Sequence, residues 1–545
     1  MTVSQSDCDW DDEVDVVVLG SGGAGLTAAL TASVNGASVA VYEKAPTVGG
    51  TTAVSGGIVW IPAHDRSDDG PLPVSDAVDY LQAQSLGYMD ADLVGTFVRT
   101  GPTMLDFVEA HSGLRFAVAE GFPDYKPELP GGRPGGGRSL SAAPVDLAKL
   151  GEWRTRITSF PADFSNVGID AETRARIHAV HDDPDADLCV AGTALVAGLL
   201  RGLLDRGIEP VTDSRAVELI GDADGITGVR VGIDDGDADV RVRARRGVVL
   251  ATGGFEWDTT LVETFLRGPM RGAVSPPNNT GDGLRMAMTH GADLANMGEA
   301  WWVPIVQIPG DTIDGHPRSR SVRLERTRPR SVIVNRAGKR FLNEAGEYNS
   351  MAGAFQYLDP KLGYANDPAW IVFDSVHLQR YGFLGVEPGD PVPDWFCESA
   401  SPADLAAKTG IDADGLAATL TRWNDNVAGE VDPDFGRGSS AYDGYWGDNS
   451  AATPAGQTLG PVDTAPFYAV PVKIGAMGTK GGPRTDRDGR VLHVNGSPIP
   501  GLFAAGNAMG GVTGKAYGGA GGTLGPAMVF GYRSGYTAAT GDSVG

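Results

Sequence analysis

An apolar strand, a glycine-rich turn and a helix follow one another at the start of this chain. Residues 16–19 read Val-Val-Val-Leu, and the glycines at 20, 22 and 25 follow in the spacing G-x-G-x-x-G. In this pattern Gly20 makes the tight turn, Gly22 lets the backbone approach a pyrophosphate, and Gly25 lets the helix pack closely on the strand. Glu43 ends the next apolar segment, eighteen residues after Gly25, where a carboxylate can bind a ribose hydroxyl. The order predicts a βαβ unit that binds a dinucleotide.

Further glycine-rich segments favour FAD over a nicotinamide cofactor. They lie at residues 44–57, 247–255 and 501–507, far apart in the sequence, and the last is followed by a long glycine-rich stretch. The 78 glycines are about twice the usual share and cluster at these segments, which indicates contact between backbone and cofactor. No histidine falls within residues 47–57, so we expect the FAD to be bound non-covalently.

Composition limits the class of protein and its partners. The chain has 545 residues, enough for two or three domains, and 41% hydrophobic and 21% charged residues, as in an ordinary globular protein. Its net charge of −25 argues against binding nucleic acid or anionic membranes. The three cysteines are widely separated, and residues 1–14 are polar and acidic, unlike a signal peptide. We therefore expect a cytoplasmic protein without an integral membrane segment.

The predicted fold class is α/β, a Rossmann-like FAD-binding domain with an inserted α+β catalytic or capping domain. Residues 1–285 would form the first part of the FAD-binding domain, residues 286–476 the inserted domain, and residues 477–545 the last part of the FAD-binding domain. Within the first part we expect a helix at 193–206, strands at 207–211 and 214–219, and an antiparallel pair at 226–231 and 240–244. Residues 112–185 are rich in proline, glycine and charge, and we expect them to cover the site outside the main sheet.

Taken together, the segments resemble the fumarate reductase and succinate dehydrogenase type of flavoprotein, and within it the 3-ketosteroid Δ1-dehydrogenases. The motifs that carry the resemblance are at residues 49–53 (GGTTA), 251–256 (ATGGFE), 279–283 (NTGDG), 340–344 (RFLNE), 478–486 (GTKGGPRTD) and 517–528. The resemblance covers essentially the whole chain. It implies dehydrogenation of a 3-ketosteroid, or of another cyclic ketone, with an external electron acceptor such as a quinone.

The resemblance also implies four catalytic positions. Tyr517 matches the tyrosine whose hydroxyl polarises the ketone, and the backbone N–H of Gly521 matches its partner. Tyr348 matches the tyrosine that takes the proton from C2, and Tyr125 the one that relays it. Hydride from C1 would pass to flavin N5.

The expected cofactor contacts combine the glycine segments with the resemblance. The Ala216 and Val217 backbone would lie at the adenine, and the helix that begins near residue 522 would favour negative charge on the flavin. The complete set is Gly20, Gly22, Gly23, Ala24, Gly25, Glu43, Lys44, Gly49, Gly50, Thr51, Thr52, Ser55, Gly56, Gly57, Ala216, Val217, Ala251, Thr252, Gly253, Asp282, Gly506, Asn507, Gly522, Thr523 and Leu524. We expect no metal ion.

Two departures from the family pattern concern the substrate. Gly518 and Gly519 follow Tyr517, where a proline is frequent in the family, and predict a more flexible turn. Lys515 places a charge close to Tyr517, which points either to solvent or to an acidic group of the substrate.

Three other functions stay open at this point. A soluble fumarate-type reductase would use some of the arginines between residues 318 and 340 to hold a dicarboxylate. A relative of the same class would dehydrogenate 3-ketosteroids at C4–C5. A flavin-loaded electron-transfer subunit without a substrate of its own would have no use for the tyrosines.

Overall fold

The computed structural model describes residues 9–67, 70–159, 187–233 and 238–545. Its strands, in chain order, are β1 (Asp12–Leu19), β2 (Val39–Tyr42), β3 (Ile58–Trp60), β4 (Phe116–Glu120), β5 (Gly136–Ala142), β6 (Val145–Asp146), β7 (Leu188–Cys189), β8 (Ser214–Asp222), β9 (Gly225–Ile233), β10 (Ala238–Leu250), β11 (Leu294–Ala295), β12 (Ala300–Val306), β13 (Thr312–Ile313), β14 (His316–Pro317), β15 (Arg320–Ser321), β16 (Ser331–Asn335), β17 (Leu358–Asp359), β18 (Gly363–Tyr364), β19 (Ala369–Asp374), β20 (Cys397–Ser399), β21 (Phe467–Thr479), β22 (Gly482–Pro483), β23 (Arg490–Leu492) and β24 (Pro498–Ala504).

The helices lie between these strands. They are α1 (Gly23–Val34), α2 (Gly50–Ala53), α3 (Val74–Ser85), α4 (Ala91–His111), α5 (Ala191–Leu204), α6 (Thr259–Phe265), α7 (Asp282–Thr289), α8 (Leu324–Thr327), α9 (Met351–Phe355), α10 (Ser375–Tyr381), α11 (Pro402–Thr409), α12 (Ala413–Ala428), α13 (Ala441–Tyr445), α14 (Pro454–Thr458) and α15 (Leu524–Thr540), with 3₁₀ turns at Leu147–Thr155 and Gly506–Ala508.

The nucleotide-binding sheet has seven strands. Its main path is β2-β1-β10-β24-β23, and the antiparallel hairpin of β8 and β9 joins it through β10. The pairs β1–β2, β1–β10 and β10–β24 are parallel. Strands of a parallel sheet are covered by helices on both faces, and their sequences are therefore continuous apolar runs. Val16, Val17 and Val18 are accordingly inaccessible to solvent. The sheet confirms the predicted Rossmann-like α/β class.

The local predictions in this sheet are correct except at two places. The predicted strand at 240–244 and the start of the segment at 247–255 belong to one strand, the 13-residue β10, which ends at Leu250 and pairs antiparallel with β9 and then parallel with β1. The predicted strand at 207–211 is wrong: Val211 makes a single bridge to Tyr42, and no ladder continues from it. Pro210 lacks the N–H that a ladder would need there. The helix expected at 193–206 is α5, Ala191–Leu204.

A second sheet of six antiparallel strands forms the α+β part. Its order is β15-β12-β21-β19-β16, with β20 on β21. Alternate residues of β19 enter two different cores, Ile371 and Phe373 on one face and Trp370 and Val372 on the other, because side chains alternate along a strand. Strand β21 continues to Thr479, three residues beyond the predicted end of the inserted domain at 476.

A small third sheet, β3-β5-β4, shares no strand pairing with the other two. It contains part of the segment at 112–185 that was predicted to cover the site, and the connection between β4 and β5 carries Tyr125. Residues 160–186 lie outside the described residues. Among the residues that the structure describes, no helix combines the length and the apolar character needed to span a bilayer.

Candidate active site

A large cleft lies where the nucleotide-binding sheet, the small sheet and the six-stranded sheet meet. Its empty volume, including the open mouth, is about 2040 Å³. One end is lined by the glycine turn after β1. The other is lined by aromatic residues from the small sheet, the α+β part and the loop before α15. The cleft can therefore hold an extended dinucleotide and a second molecule beside it.

The glycine turn has the backbone geometry that its sequence predicts. Gly20 has φ of 101°, and a Cβ there would lie 2.3 Å from the carbonyl oxygen of Ala251. A Cβ on Gly25 would lie 2.0 Å from the carbonyl oxygen of Gly20, so this glycine permits the close approach of helix and strand. Glu43 sits at the end of β2 and lines the cleft, and its carboxylate accepts hydrogen bonds from the backbone N–H and hydroxyl of Ser21 at 3.0 and 2.7 Å.

Threonine and asparagine side chains line the middle of the cleft. The Thr52 hydroxyl accepts a hydrogen bond from the Gly23 N–H at 3.0 Å, and the Asn279 amide donates to the Thr51 hydroxyl at 3.0 Å. Thr252 also lines the cleft. Its hydroxyl is enclosed by the protein next to Gly283 and has no hydrogen-bond partner among the described residues.

A charged network borders the dinucleotide end. Lys44 donates to Asp282 at 2.9 Å and to Thr280 at 2.7 Å, and Arg215 pairs with Asp282 at 2.7 Å. Burial raises and these two cations lower the pKa of Asp282, with a net shift below its usual value. Lys44 and Asp282 both line the cleft, as the sequence predicts.

Three buried tyrosines meet at the aromatic end. The hydroxyls of Tyr125 and Tyr348 are 2.6 Å apart, and the Tyr348 hydroxyl donates to the Tyr517 oxygen at 3.3 Å. The Thr523 hydroxyl also donates to the Tyr517 oxygen, at 3.2 Å. Because a phenol oxygen accepts two hydrogen bonds and donates one, Tyr517 has its own proton left to donate into the cleft that it lines.

Burial raises the pKa of each of these tyrosines above its ordinary value of 10. For Tyr125 and Tyr348 the pKa is raised well above that value, mainly by loss of solvation and further by the neighbouring tyrosines. For Tyr517 burial raises the pKa, while the hydrogen bonds from Thr523 and Tyr348 and the charge of Arg323 oppose the shift. At neutral pH all three are protonated phenols.

The loop that carries Tyr517 is held through its carbonyl groups. Gln84 donates to the carbonyl of Tyr517 at 2.8 Å, and Tyr80 donates to that of Gly518 at 2.7 Å. A Cβ on Gly518 would lie 2.5 Å from the Trp60 ring, so the glycine is required by packing. Packing against Trp60 thus explains the glycine, and the more flexible turn stays a prediction.

Lys480 supports the same loop from the other side. Its side chain is buried, its ammonium donates to the carbonyls of Gly514 and Ala516 at 3.1 and 2.9 Å, and it lies 3.9 Å above the Trp301 ring. Burial lowers the pKa of Lys480 to about 7.

Gly521 has the geometry of a backbone donor. Its φ is +89°, and a Cβ would lie 2.4 Å from the carbonyl oxygen of Ile58, so only glycine fits. Its carbonyl accepts from the Trp60 N–H, whereas its own N–H meets no acceptor within the described part of the chain. Gly521 lines the cleft, as Tyr517 does.

The structure brings most of the predicted site residues to this cleft. All four catalytic candidates line it, as do the predicted cofactor contacts other than Gly25, Gly49, Val217 and Gly522. Gly25 packs against the carbonyl of Gly20 in the turn. Gly49 donates its N–H to the Ser21 hydroxyl at 3.0 Å. Val217 is 41% exposed and points away, although Ala216 lines the cleft.

Lys515 does not reach the cleft. Its ammonium lies 3.8 Å above the Tyr88 ring and 4.0 Å from the Glu299 carboxylate, and its side chain is 32% exposed. The expectation that it might receive an acidic group of the substrate is not supported by this position.

Further lining residues were missed by the sequence analysis. The apolar ones include Ile58, Phe122, Val274, Val303, Trp446 and Met477, and the polar ones include Ser21, Asn278, Asn279, Ser319, Ser321 and Arg323. The motif at 279–283 pointed to Asn279. The others had no motif of their own.

The dense arginines of residues 318–340 do not form a dicarboxylate site. Arg318 and Arg320 both pair with Asp311, and Arg340 pairs with Glu344 and Asp432. Arg326 is buried and donates to backbone carbonyls, and Arg330 pairs with Asp374 and Asp463. In the described structure Arg323 is the one arginine of this group that lines the cleft.

The fold and the cleft define a flavoprotein whose dinucleotide site opens onto a covered aromatic pocket. The family model described as "FAD binding domain" matches residues 15–524. The 4-oxocyclohexanecarboxylate 2-dehydrogenase of Sinomonas cyclohexanicum is 43% identical, over 96% of this chain and 92% of the relative. The 3-oxosteroid 1-dehydrogenase of Mycolicibacterium smegmatis is 38% identical, over 95% of this chain and 96% of the relative.

Solved structures agree with these relatives. The crystal structure of 3-ketosteroid Δ1-dehydrogenase from Sterolibacterium denitrificans in complex with 1,4-androstadiene-3,17-dione superimposes with a TM-score of 0.88 at 32% identity, covering 97% of this chain and 100% of that one. The chain therefore belongs to the family of FAD-binding flavoproteins that includes the 3-oxosteroid 1-dehydrogenases. FAD is its cofactor, and the glycine turn and Glu43 on the cleft wall fit that group.

Proposed function

We propose that this protein dehydrogenates a cyclic ketone between the carbons alpha and beta to the carbonyl. The proposal depends on two hydrogen-bond donors that lie on the wall of one cleft. The Tyr517 hydroxyl accepts two hydrogen bonds and still has its own proton to donate, and the Gly521 N–H has no acceptor among the described residues. Two donors on one wall suit a carbonyl oxygen that gains negative charge during the reaction. An electron-transfer subunit without a substrate would need neither.

Tyr517 and Gly521 acidify the carbon next to the ketone. When a proton leaves that carbon, negative charge moves to the carbonyl oxygen, and the two donors stabilise it there. The loop that carries both residues is fixed by Gln84, Tyr80 and Lys480, so the donors are in place before the substrate arrives. Preorganisation of this kind is what makes such donors effective in a buried site.

Tyr348 takes the proton from the alpha carbon while its hydroxyl turns from Tyr517 to Tyr125 and gives up its own phenolic proton to the Tyr125 oxygen. Tyr125 then releases its hydroxyl proton to water at the open mouth of the cleft, so that both phenols end the step neutral. A free tyrosinate is disfavoured because burial raises the pKa of both residues well above 10. The proton must therefore move along the 2.6 Å contact between the two hydroxyls as the carbon–hydrogen bond breaks. The raised pKa of both phenols argues against a lowered pKa as the source of the base and supports a relay.

When bound non-covalently in this cleft, FAD would supply the hydride acceptor for the beta carbon, and an external acceptor such as a quinone would reoxidise it. The chain contributes a water-poor surrounding for this step, since Tyr125, Tyr348 and Tyr517 are each only 5% exposed. Exclusion of water strengthens each of the hydrogen bonds described above.

The names of the relatives suggest two kinds of substrate. One relative is named for 4-oxocyclohexanecarboxylate, a single ring with a carboxylate, and others for 3-oxosteroids, which are neutral and larger. In both, the new double bond lies alpha and beta to a ring ketone. The apolar lining supports the C1–C2 dehydrogenation of a 3-ketosteroid. The 43% identity to the relative named for the ring acid, against 38% for the 3-oxosteroid enzyme, supports a ring acid.

The test is anaerobic mixing of the purified enzyme with one ketone at a time. We expect 4-oxocyclohexanecarboxylate or androst-4-ene-3,17-dione to bleach the flavin absorbance and to leave as the α,β-unsaturated ketone, identified by mass spectrometry. Added fumarate should not reoxidise the bleached enzyme, whereas a quinone analogue should. If no cyclic ketone bleaches the flavin and fumarate does reoxidise chemically reduced enzyme, the function is that of a reductase.

A further inference from the structure

The hydroxyl groups of the three buried tyrosines form a hydrogen-bonded series with one direction, which we call the tyrosine series. The Tyr348 hydroxyl donates its only proton to the Tyr517 oxygen. The 2.6 Å hydrogen bond between Tyr125 and Tyr348 is therefore donated by Tyr125, because a phenol has one proton to give. Tyr517 accepts from Tyr348 and Thr523, so its own proton is left for a ligand in the cleft that it lines. Every donation in the series thus runs toward that ligand.

Hydrogen bonding along the tyrosine series strengthens its last donor. In a buried network each accepted hydrogen bond polarises the hydroxyl that accepts it, so that this hydroxyl donates more strongly. The Tyr517 hydroxyl accepts two such bonds. The Gly521 N–H, which meets no acceptor among the described residues, lies on the same cleft wall. Together the two donors suit an oxygen atom that carries more negative charge than a ketone oxygen does.

The charged side chains around Tyr517 act in the same direction. The buried Lys480 ammonium lies 5.8 Å from the centre of the Tyr517 ring. Burial has the largest effect on the pKa of Tyr517 and raises it, and among the charges Arg323 lowers that pKa more than Glu347 raises it. Glu347 itself has the Lys126 ammonium at 3.8 Å. Positive charge therefore outweighs negative charge around this hydroxyl, which favours an anionic ligand oxygen.

From this arrangement we propose that the ketone end of the cleft also binds phenols and holds acidic phenols as phenolates, with the phenolate oxygen between the Tyr517 hydroxyl and the Gly521 N–H. The inference rests on the proposed function, because it uses the two donors assigned there to the ketone. A phenolate resembles the enolate of a cyclic ketone, since both carry negative charge on an oxygen attached to a flat part of a six-membered ring. Hydrogen bonds to a charged oxygen are about twice as strong as those to a neutral one. The proton of the phenol passes to the buffer on binding.

A bound phenol ionises while the tyrosines stay protonated. Burial raises the pKa of Tyr517, and it raises the pKa of Tyr125 and Tyr348 well above 10. A phenol that is more acidic than a buried tyrosine therefore loses its proton first, and Tyr517 remains a donor. A phenol ring has no pair of saturated carbons to dehydrogenate. It therefore occupies the site without reacting and competes with the ketone.

A series of phenols of graded acidity tests this inference. The probes are 4-nitrophenol, 4-cyanophenol and 4-fluorophenol, in order of falling acidity, and 4-nitroanisole is the matched ligand without an acidic proton. Calorimetry measures their binding to the oxidised holoenzyme in one neutral buffer. We expect affinity to fall in that order, and 4-nitroanisole to bind about 10²-fold more weakly than 4-nitrophenol. Equal affinity of 4-nitrophenol and 4-nitroanisole, or affinity independent of acidity, would overturn the inference.

Variants separate hydrogen bonding from the shape of the site. Tyr517→Phe should weaken binding of 4-nitrophenol about 10- to 10²-fold, and Tyr125→Phe should weaken it a few-fold, because it shortens the tyrosine series. Both should bind 4-nitroanisole as the wild type does, and the control Tyr442→Phe should bind both ligands as the wild type does. Equal loss of both ligands in Tyr517→Phe would show a merely structural role and overturn the inference. Unchanged 4-nitrophenol binding in Tyr125→Phe would overturn the contribution of the tyrosine series.

The binding measurement also separates this inference from the proposed function, because phenols do not react. If 4-nitrophenol binds as expected while no ketone bleaches the flavin, the reaction is wrong and the phenol site stands. If ketones bleach the flavin while 4-nitrophenol and 4-nitroanisole bind equally, the phenol site is wrong and the reaction stands.

Discussion

Replacing Tyr517 by phenylalanine removes one of the two proposed donors to the ketone and keeps the ring. Loss of a single oxyanion donor lowers kcat by about 10²–10³, or about 3–4 kcal/mol of transition-state stabilisation. The remaining donor, the Gly521 N–H, explains why the loss should not be complete. Water cannot substitute for the hydroxyl, since this side chain is only 5% exposed.

The same substitution has a separate structural cost. The Tyr517 oxygen accepts hydrogen bonds from Tyr348 and Thr523, so its removal leaves two donors without a partner in a buried site. Each such loss costs about 1–3 kcal/mol, and urea unfolding of the holoenzyme should show it as a lower free energy of unfolding. Stability and activity must therefore be measured on the same preparation.

The assay is steady-state oxidation of the ketone with a dye acceptor, with FAD content determined from absorbance. Tyr442→Phe is the control: Tyr442 packs against Tyr125 with ring centres 5.1 Å apart but lies outside the chain of hydrogen bonds between the three tyrosines. We expect Tyr442→Phe to stay close to wild-type kcat. A Tyr517→Phe enzyme that keeps its FAD and loses less than about 10-fold in kcat would refute the reasoning on this donor.

Three further predictions concern the proton path and the loop. Tyr348→Phe should abolish exchange of the ketone's alpha protons with deuterated solvent, seen by NMR without an acceptor; exchange at the wild-type rate would rule out Tyr348 as the base. Since burial raises the pKa of Tyr348 and Tyr125 well above 10 and the reaction needs a proton acceptor, kcat/KM should keep rising into the alkaline range; a plateau at neutral pH would show a different base. Lys480→Met removes the two hydrogen bonds to the carbonyls of Gly514 and Ala516. Because Tyr517 would then be positioned less accurately, we expect kcat to be about 10-fold lower with FAD retained, which corresponds to about 1–2 kcal/mol of transition-state stabilisation. An unchanged kcat would show that the loop positions Tyr517 without this lysine.

The dinucleotide end of the site could be predicted from local sequence. Gly20, Gly25 and Glu43 lie within one βαβ unit, so their spacing alone encodes the turn, the close packing and the carboxylate. The predicted strand at 207–211 is wrong because an apolar run next to a proline can lie beside a sheet without joining its ladder.

The aromatic end of the site could not be predicted from the spacing of residues in the sequence. Tyr125, Tyr348 and Tyr517 come from three distant segments, and only the family resemblance named them before the structure showed their hydroxyls in contact. Tyr80 and Gln84 escaped notice because they act on backbone carbonyls, which no sequence motif marks. Composition likewise could not tell which arginine of an arginine-rich stretch lines the cleft, because Arg323 lies in the bend between a two-residue strand and a short helix.

The most direct test of the account is a crystal structure of the FAD-loaded enzyme with the unsaturated ketone product bound. The account predicts the ketone oxygen at about 2.7–3.1 Å from both the Tyr517 hydroxyl and the Gly521 nitrogen, with the Tyr348 hydroxyl beside the alpha carbon. A ketone oxygen bound elsewhere in the cleft, with Tyr517 and Gly521 contacting neither oxygen nor ring, would contradict it.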